Sequence, residues 1–217
     1  MIKRVASIVT FVLLAIGLAG CAVFANKPLA NPALQGRLKD NTYTSPRQTF
    51  RIRLPWLSTD ATIGDEIASD NSLIVIIADD LCREFVVSQS TVALGAQSFE
   101  SWVKAHIIDV LSWLNLRVES KSVMTRNGPA ISLRYRLSAA APCSRSEKVG
   151  GKEVAIKRDA DVGEYVYYRA GVTYRLTYIV GIGAGVVPNL WYVNREPVDD
   201  VLAHFADGFE IMGTQNE

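Results

Sequence analysis

The sequence predicts an α+β fold in which a mostly antiparallel sheet of about seven strands carries two amphipathic helices. Segments with apolar side chains at every second position outnumber segments with helical spacing, which favours a sheet as the main element. Tight turns such as Asn127-Gly128 join neighbouring strand segments, and hairpins of this kind make antiparallel pairs. Each helical segment has a single apolar stripe, so each is expected to pack on a face of the sheet.

The first residues are typical of a bacterial export signal. Lys3 and Arg4 precede an apolar run over residues 5–19, which is shorter than the roughly 20 residues that a membrane-spanning helix needs. The motif Leu18-Ala19-Gly20-Cys21, which begins at the end of this run, resembles the lipobox of bacterial lipoproteins. The alternative is an ordinary signal peptide, or an uncleaved anchor, in which the cysteine is incidental.

The lipobox resemblance implies that the Cys21 thiol receives a diacylglycerol, that residues 1–20 are removed, and that the new amino group is acylated. In the enterobacterial lipoproteins that this motif resembles, an Asp after the cysteine retains the protein at the inner membrane. Ala22 stands there instead, which favours the outer membrane. Residues 21–42, with scattered Asn, Pro and Gly, are predicted to tether one globular domain, over residues 43–217, to that membrane.

The net charge and the cysteines bear on possible ligands and on disulfide formation. Removal of residues 1–20 leaves a formal charge of −1, and this near-neutral balance argues against electrostatic binding of nucleic acid. After lipidation of the first cysteine, Cys82 and Cys143 remain in a compartment where disulfides form. A Cys82–Cys143 disulfide is therefore predicted, and the alternative is a pair of buried thiols.

The predicted strands follow one another through most of the domain. Phe50, Ile52 and Leu54 face one way in the first of them, and the stretch 56–70 is expected to be a loop because its pattern is mixed. The strand segments cover residues 49–54, 73–78, 82–88, 116–125, 130–137, 153–157, 164–169 and 172–180.

Two segments have apolar side chains at helical spacing. The first runs over residues 98–115, where Ser98 can cap its N-terminus. The second has Pro197 at its first helical position and extends through about Met212. Asp199 and Asp200 lie in its first turn, where the helix dipole favours negative charge.

The order of these elements is similar to that of the PsbP-like α/β/α sandwich, with an opening hairpin, a mid-chain helix, antiparallel strands and a closing helix. Tyr43-Thr44-Ser45-Pro46, followed by Phe50-Arg51-Ile52-Arg53-Leu54-Pro55, resembles the start of such domains. The resemblance implies a sheet between two helical layers. It also implies a role in binding or assembly, since that family has no single activity.

We find no catalytic motif, and we predict neither a cofactor nor a metal site. His106 and His204 lack the paired spacing of zinc ligands and are expected to be packed or rim side chains. The run Gly181-Ile182-Gly183-Ala184-Gly185 lacks the spacing of a dinucleotide-binding loop. Asp79-Asp80 is expected to be a solvated turn. The apolar stretch 181–192 is either tucked against the domain or used for binding.

Arginines occupy non-core positions of the predicted strands, at Arg51, Arg53, Arg134, Arg136 and Arg175. If these strands adjoin, the arginines form one basic face for an anionic ligand, such as a lipid headgroup or a cell-wall acid. The alternative is a solvated face, or one paired with Glu119, Glu153 and Glu164.

Together these features predict a non-enzymatic, periplasm-facing envelope lipoprotein that binds a protein partner or contributes to envelope assembly. The alternatives are a binder of a small ligand or lipid headgroup and, less favoured, an envelope hydrolase.

Overall fold

The structure, a computed structural model, describes residues 36–53, 62–68, 72–78, 83–138, 145–149, 152–156, 159–181 and 197–212. The predicted signal peptide, Cys21, Asp79-Asp80, Cys82, Cys143 and residues 182–192 lie outside the described residues, so the expectations that concern them stay predictions.

Thirteen antiparallel strands and two helical segments lie within the described ranges. The strands are β1 (Arg37–Lys39), β2 (Thr42–Thr44), β3 (Phe50–Arg53), β4 (Thr62–Ala68), β5 (Ser72–Ala78), β6 (Arg83–Thr91), β7 (Glu119–Thr125), β8 (Gly128–Leu137), β9 (Arg145–Val149), β10 (Lys152–Ile156), β11 (Ala160–Arg169), β12 (Val172–Gly181) and β13 (Phe209–Ile211). The mid-chain helix covers residues 99–113 and the closing helix is Val198–Gly208.

The predicted α+β class, the antiparallel pairing and the two helices are confirmed, but the expectation of one sheet is wrong. Among the described strands, three sheets form, with the orders β4-β5-β6-β12-β11-β8-β7, β1-β2-β3-β13 and β9-β10. Of the second sheet only β3 was predicted, because β1, β2 and β13 have three residues each and are too short to show a reliable alternation.

The first strand that the structure describes begins at Arg37, inside the stretch 21–42 that the sequence predicts as a tether. β1 pairs antiparallel with β2 through a turn at Asp40 and Asn41, whose φ angles are 50° and 55°. Two consecutive residues with positive φ make the turn that best matches the twist of a hairpin, and Asp and Asn tolerate it well. The predicted tether is therefore too long at its C-terminal end.

The expectation of a loop over residues 56–70 is wrong for β4. This strand pairs with β5, but the pairing shifts register between Ile63 and Asp65, on either side of Gly64. An extra residue in one strand breaks the two-residue alternation on which a strand prediction depends. The bulge therefore explains why the pattern looks mixed in the sequence.

The mid-chain helix begins as predicted but contains an irregular turn. The Ser98 side chain accepts a hydrogen bond from the Ser101 N–H, which caps the helix. Residues Lys104–Ile108 form a π-helical turn, in which the Asp109 N–H bonds to the Lys104 carbonyl. The inserted residue changes the phase of the helix, so Val103, Ile107 and Leu111 are its buried side chains.

The closing helix is shorter than predicted. Pro197 is its N-cap with an extended ψ of 137°, so the first helical residue is Val198, one position later than expected. The helix ends at Gly208 because the chain then forms β13, in which Phe209 pairs with Ile52. The expected helical stripe through Phe209 and Met212 is wrong, although Phe209 is still fully buried.

The seven-stranded sheet separates two apolar cores. The first core joins one sheet face to the closing helix and the four-stranded sheet; it contains, among others, Phe50, Phe85, Leu176, Tyr178, Leu202 and Phe205. The second core lies between the other face and the mid-chain helix, and it includes Val103, Leu111, Leu133, Val162 and Val166. Because antiparallel strands alternate their side chains, β11 contributes to both cores.

Gly208 marks the closest approach between the closing helix and β3. A Cβ atom on this residue would lie 2.0 Å from the Arg53 carbonyl oxygen, which is a backbone atom that no rotamer change can remove. Only glycine therefore allows the helix to end against this strand.

We expect Gly208→Ala to destabilise the domain by about 1–3 kcal/mol, because the helix must move away from β3. Urea denaturation followed by circular dichroism measures this loss. Asp200→Glu, at an exposed position of the same helix, should stay within about 0.5 kcal/mol. An unchanged midpoint for Gly208→Ala would show that the close approach is not rigid.

Candidate functional site

A cleft of about 720 Å³ lies where the closing helix meets the four-stranded sheet. It is lined by Thr42, Arg51, Arg53, Arg126, His204, Asp207, Gly208 and Glu210. Its volume is within the range of small-molecule sites. The lining is polar and strongly charged, so the cleft suits a charged group better than an apolar one.

The cleft takes Arg51 and Arg53 from β3. Phe50 and Ile52 point into the first core, so strand alternation turns both arginines to the opposite, exposed face. Arg51 pairs across the strands with Glu210 of β13, where its Nη2 lies 2.7 Å from Glu210 Oε2. Arg53 lies beside Thr42, its register partner on β2.

Arg126 enters the cleft from the turn between β7 and β8. Its neighbour Asn127 donates two hydrogen bonds from Nδ2, to the Ala206 carbonyl at 3.1 Å and to the Phe209 carbonyl at 2.8 Å. These bonds tie the hairpin turn to the end of the closing helix and the start of β13. The two hydrogen bonds of Asn127 therefore hold Arg126 at the cleft, which is otherwise built from distant parts of the chain.

The last turns of the closing helix supply His204 and Asp207, both exposed. Within the part of the chain that the structure describes, the side chains of Arg53, Arg126 and Asp207 form no ion pair or hydrogen bond. Two guanidinium groups and one carboxylate are thus available to a ligand. The neighbouring Arg51 is already neutralised by Glu210.

The structure does not bring the five predicted arginines to one face. β3 belongs to a different sheet from β8 and β12, and β11 separates β8 from β12. Arg134 lies 3.2 Å from Asp199 of the closing helix, and Arg136 lies 3.2 Å from Asp161. Of the predicted set, only Arg51 and Arg53 line the cleft.

Arg175 lies on the opposite face of the large sheet, the side of the mid-chain helix. Its guanidinium contacts Glu164 with nitrogen–oxygen distances of 2.7 and 2.8 Å, and Glu164 is only 1% exposed. The Tyr135 hydroxyl donates a hydrogen bond of 2.5 Å to the same carboxylate. Arg175, Glu164 and Tyr135 come from three adjacent strands and form one polar network around the buried Glu164 carboxylate, with Arg175 itself partly exposed.

The ionisation of these groups reflects their burial. Burial raises the pKa of Tyr135 well above its usual value, and the charge of Glu164 raises it further. Burial alone would lower the pKa of Arg175, but the adjacent Glu164 carboxylate more than offsets this effect and raises it. Tyr135 therefore stays a neutral donor and Arg175 a cation, so the network has a structural role.

The two histidines lie in different places: His204 is exposed in the cleft, whereas His106 lies in the π-helical turn of the mid-chain helix. The ring of His106 stacks on Trp102 with a centroid distance of 4.9 Å, and its Nδ1 donates to the Trp102 carbonyl oxygen at 2.9 Å. These two contacts of His106 therefore stabilise the π-helical turn.

Among the described residues, no cluster of three or more metal-ligating side chains occurs. No helix in this part of the chain is long and apolar enough to cross a membrane.

Arg126, Asp207 and Glu210 are the charged cleft residues that the sequence did not predict. Asn127-Gly128 correctly predicts a hairpin, and Gly128 has the positive φ of 103° that this turn needs. The dipeptide does not reveal which surface the turn contacts. Only the hydrogen bonds from Asn127 to the closing helix place Arg126 beside Arg53.

No protein family and no curated protein matches the chain. Among solved structures, it is similar to a chain from Bacteroides thetaiotaomicron solved at 1.50 Å resolution. The sequences are 10% identical, the TM-score is 0.41, and the match covers 80% of this chain and 49% of that one. This chain therefore spans about half the length of that protein, from which no function is transferred.

We expect Arg175→Leu to destabilise the domain by about 3–5 kcal/mol, because it leaves the Glu164 carboxylate buried without its cation. Urea denaturation monitored by tryptophan fluorescence measures this change. The double variant Glu164→Gln, Arg175→Leu should recover much of the loss, since no unpaired charge remains. A loss below about 1 kcal/mol for Arg175→Leu alone would contradict a buried ion pair.

Proposed function

We propose that this chain is a lipid-anchored protein of the bacterial envelope whose periplasm-facing, non-enzymatic domain binds an anionic partner or ligand at the arginine cleft. The observation that carries the proposal is the convergence of Arg53 and Arg126, from two distant segments, in one cleft where neither has an ion-pair partner among the described residues. Guanidinium groups without an acidic partner bind carboxylates and phosphates through charge-assisted hydrogen bonds.

The lipobox motif supports the anchored location. Each buried acyl CH₂ contributes about 0.8 kcal/mol, and two chains suffice for stable anchoring. A multiply acylated Cys21 therefore holds the domain at the membrane, and Ala22 favours the outer membrane over the inner one.

A PsbP-like layout is part of this proposal. The layering of a helix, a large antiparallel sheet and a second helix on the opposite face is compatible with that family. Its members include binding and assembly proteins, which agrees with a domain that carries a charged cleft.

Replacement of Cys21 tests the anchor. We expect Cys21→Ser to release the protein from membranes or to stall its processing, because the serine hydroxyl cannot take the diacylglycerol. Membrane fractionation and the mass of the processed chain measure the two outcomes. Unchanged membrane retention together with normal cleavage would rule out the lipoprotein.

Replacement of the cleft arginines tests the binding role. After crosslinking in intact membranes, the double variant Arg53→Ala, Arg126→Ala should recover bound partner or ligand at a yield at least about tenfold lower. The matched control is Arg134→Ala, Arg136→Ala, which removes the same charge from ion pairs outside the cleft. Equal yields from the two double variants would contradict a specific cleft.

The two cysteines of the mature domain provide a test of the exported state. A Cys82–Cys143 disulfide would close a loop of about 60 residues and stabilise the fold by roughly 4 kcal/mol. We expect mass spectrometry of the alkylated, unreduced protein to find neither thiol modified. Alkylation of both residues would show that they are free thiols.

A further inference from the structure

We propose that the arginine cleft binds the phosphoethanolamine headgroup of a membrane lipid, in which a phosphate and an ammonium group are joined by two carbons. This inference rests on the proposed function, since it names the ligand of the same cleft. It follows from the presence in one cleft of two guanidinium groups and one carboxylate that have no ion-pair partner among the described residues, and from the position of that cleft in the chain.

The phosphate is recognised by the arginines. Arg53 on β3 and Arg126 on the β7–β8 turn face the same space from different elements, and neither has an acidic partner among the described residues. Two guanidinium groups from different elements can contact a phosphate from two sides, which a single cation cannot do. His204 lies in the same lining and adds another donor.

The ammonium group is recognised by Asp207. This residue adjoins Gly208, which packs directly against the backbone of Arg53, so the carboxylate and the guanidinium emerge from adjacent backbone positions. Asp207 also lies at the end of an 11-residue helix, where the backbone dipole carries about half a negative charge. A ligand with a phosphate alone would leave this acidic part of the cleft without a counter-charge.

The location of the cleft favours a lipid as the source of this headgroup. Thr42 lines the cleft and belongs to the first hairpin of the fold. The chain between Cys21 and Gly36 spans at most about 50 Å even when fully extended. A domain held so close to a membrane meets lipid headgroups at high effective concentration, so weak affinity for one headgroup suffices.

The test uses the purified lipidated chain in micelles of a sugar detergent, which contain no phosphate. Calorimetric titration compares phosphoethanolamine, inorganic phosphate and ethanolamine. We expect phosphoethanolamine to bind about tenfold more tightly than phosphate, because only the former also pairs with Asp207. Equal affinity for phosphoethanolamine and phosphate would overturn the proposal.

Variants separate the two halves of the cleft. Asp207→Asn should remove the preference for phosphoethanolamine but keep phosphate binding, whereas Arg53→Ala, Arg126→Ala should lower the affinity for both at least about tenfold. Asp200→Asn removes an exposed acid of the same helix outside the cleft and should change neither affinity. A preference that survives in Asp207→Asn would overturn the assignment of the ammonium subsite.

A competition experiment identifies the source of the headgroup. Phosphatidylethanolamine added to the micelles should occupy the cleft and abolish binding of free phosphoethanolamine. Unchanged binding in the doped micelles would overturn the lipid as ligand. If no headgroup compound binds but the arginine variants still lose their crosslinked partner, the headgroup proposal is wrong while the proposed function stands.

Discussion

The burial of both faces of the hairpin formed by β11 and β12 is the constraint on which the rest of the structure depends. Tyr167 and Leu176 point to the first core, whereas Val162 and Val166 point to the second. A sheet that is apolar on both faces needs a layer on each side, and the two helices supply most of this cover. Any polar side chain at these strand positions must therefore find a partner inside the protein.

The pair formed by Glu164 and Arg175 is the direct consequence of this constraint. Both residues lie on buried central strands, and each neutralises the other while the Tyr135 hydroxyl satisfies a further carboxylate lone pair. The arginines of the cleft are exposed, so the need for a partner that applies to buried charges does not apply to them. Arg53 and Arg126 lie at the exposed margin of the fold, where water solvates a charge, so neither needs the acidic partner that it lacks among the described residues. Local charge, rather than the near-neutral total, thus makes anion binding feasible.

Sequence patterns predicted most of the large elements but little of the cleft. Apolar and polar residues alternate along the long strands β8, β11 and β12, and both helices carry an apolar stripe. Core-facing residues recur every two positions in a strand and about every 3.6 positions in a helix, so these elements can be read from the sequence. The arginine face was predicted from the same alternation and is not one surface. Alternation reports which face of its own strand a residue occupies, but it contains no information about which strands are neighbours.

The sequence by itself determined the α+β class, the two helices and the outward position of Arg51 and Arg53. These properties depend on local chemistry and on periodicity, which neighbouring residues along the chain specify. Only the tertiary structure decided that Arg126 joins them, because that contact depends on Asn127 bonding to a helix about 80 residues away. Tertiary packing also ended the closing helix at Gly208, since pairing of Phe209 with β3 outweighed the helical pattern of the last residues.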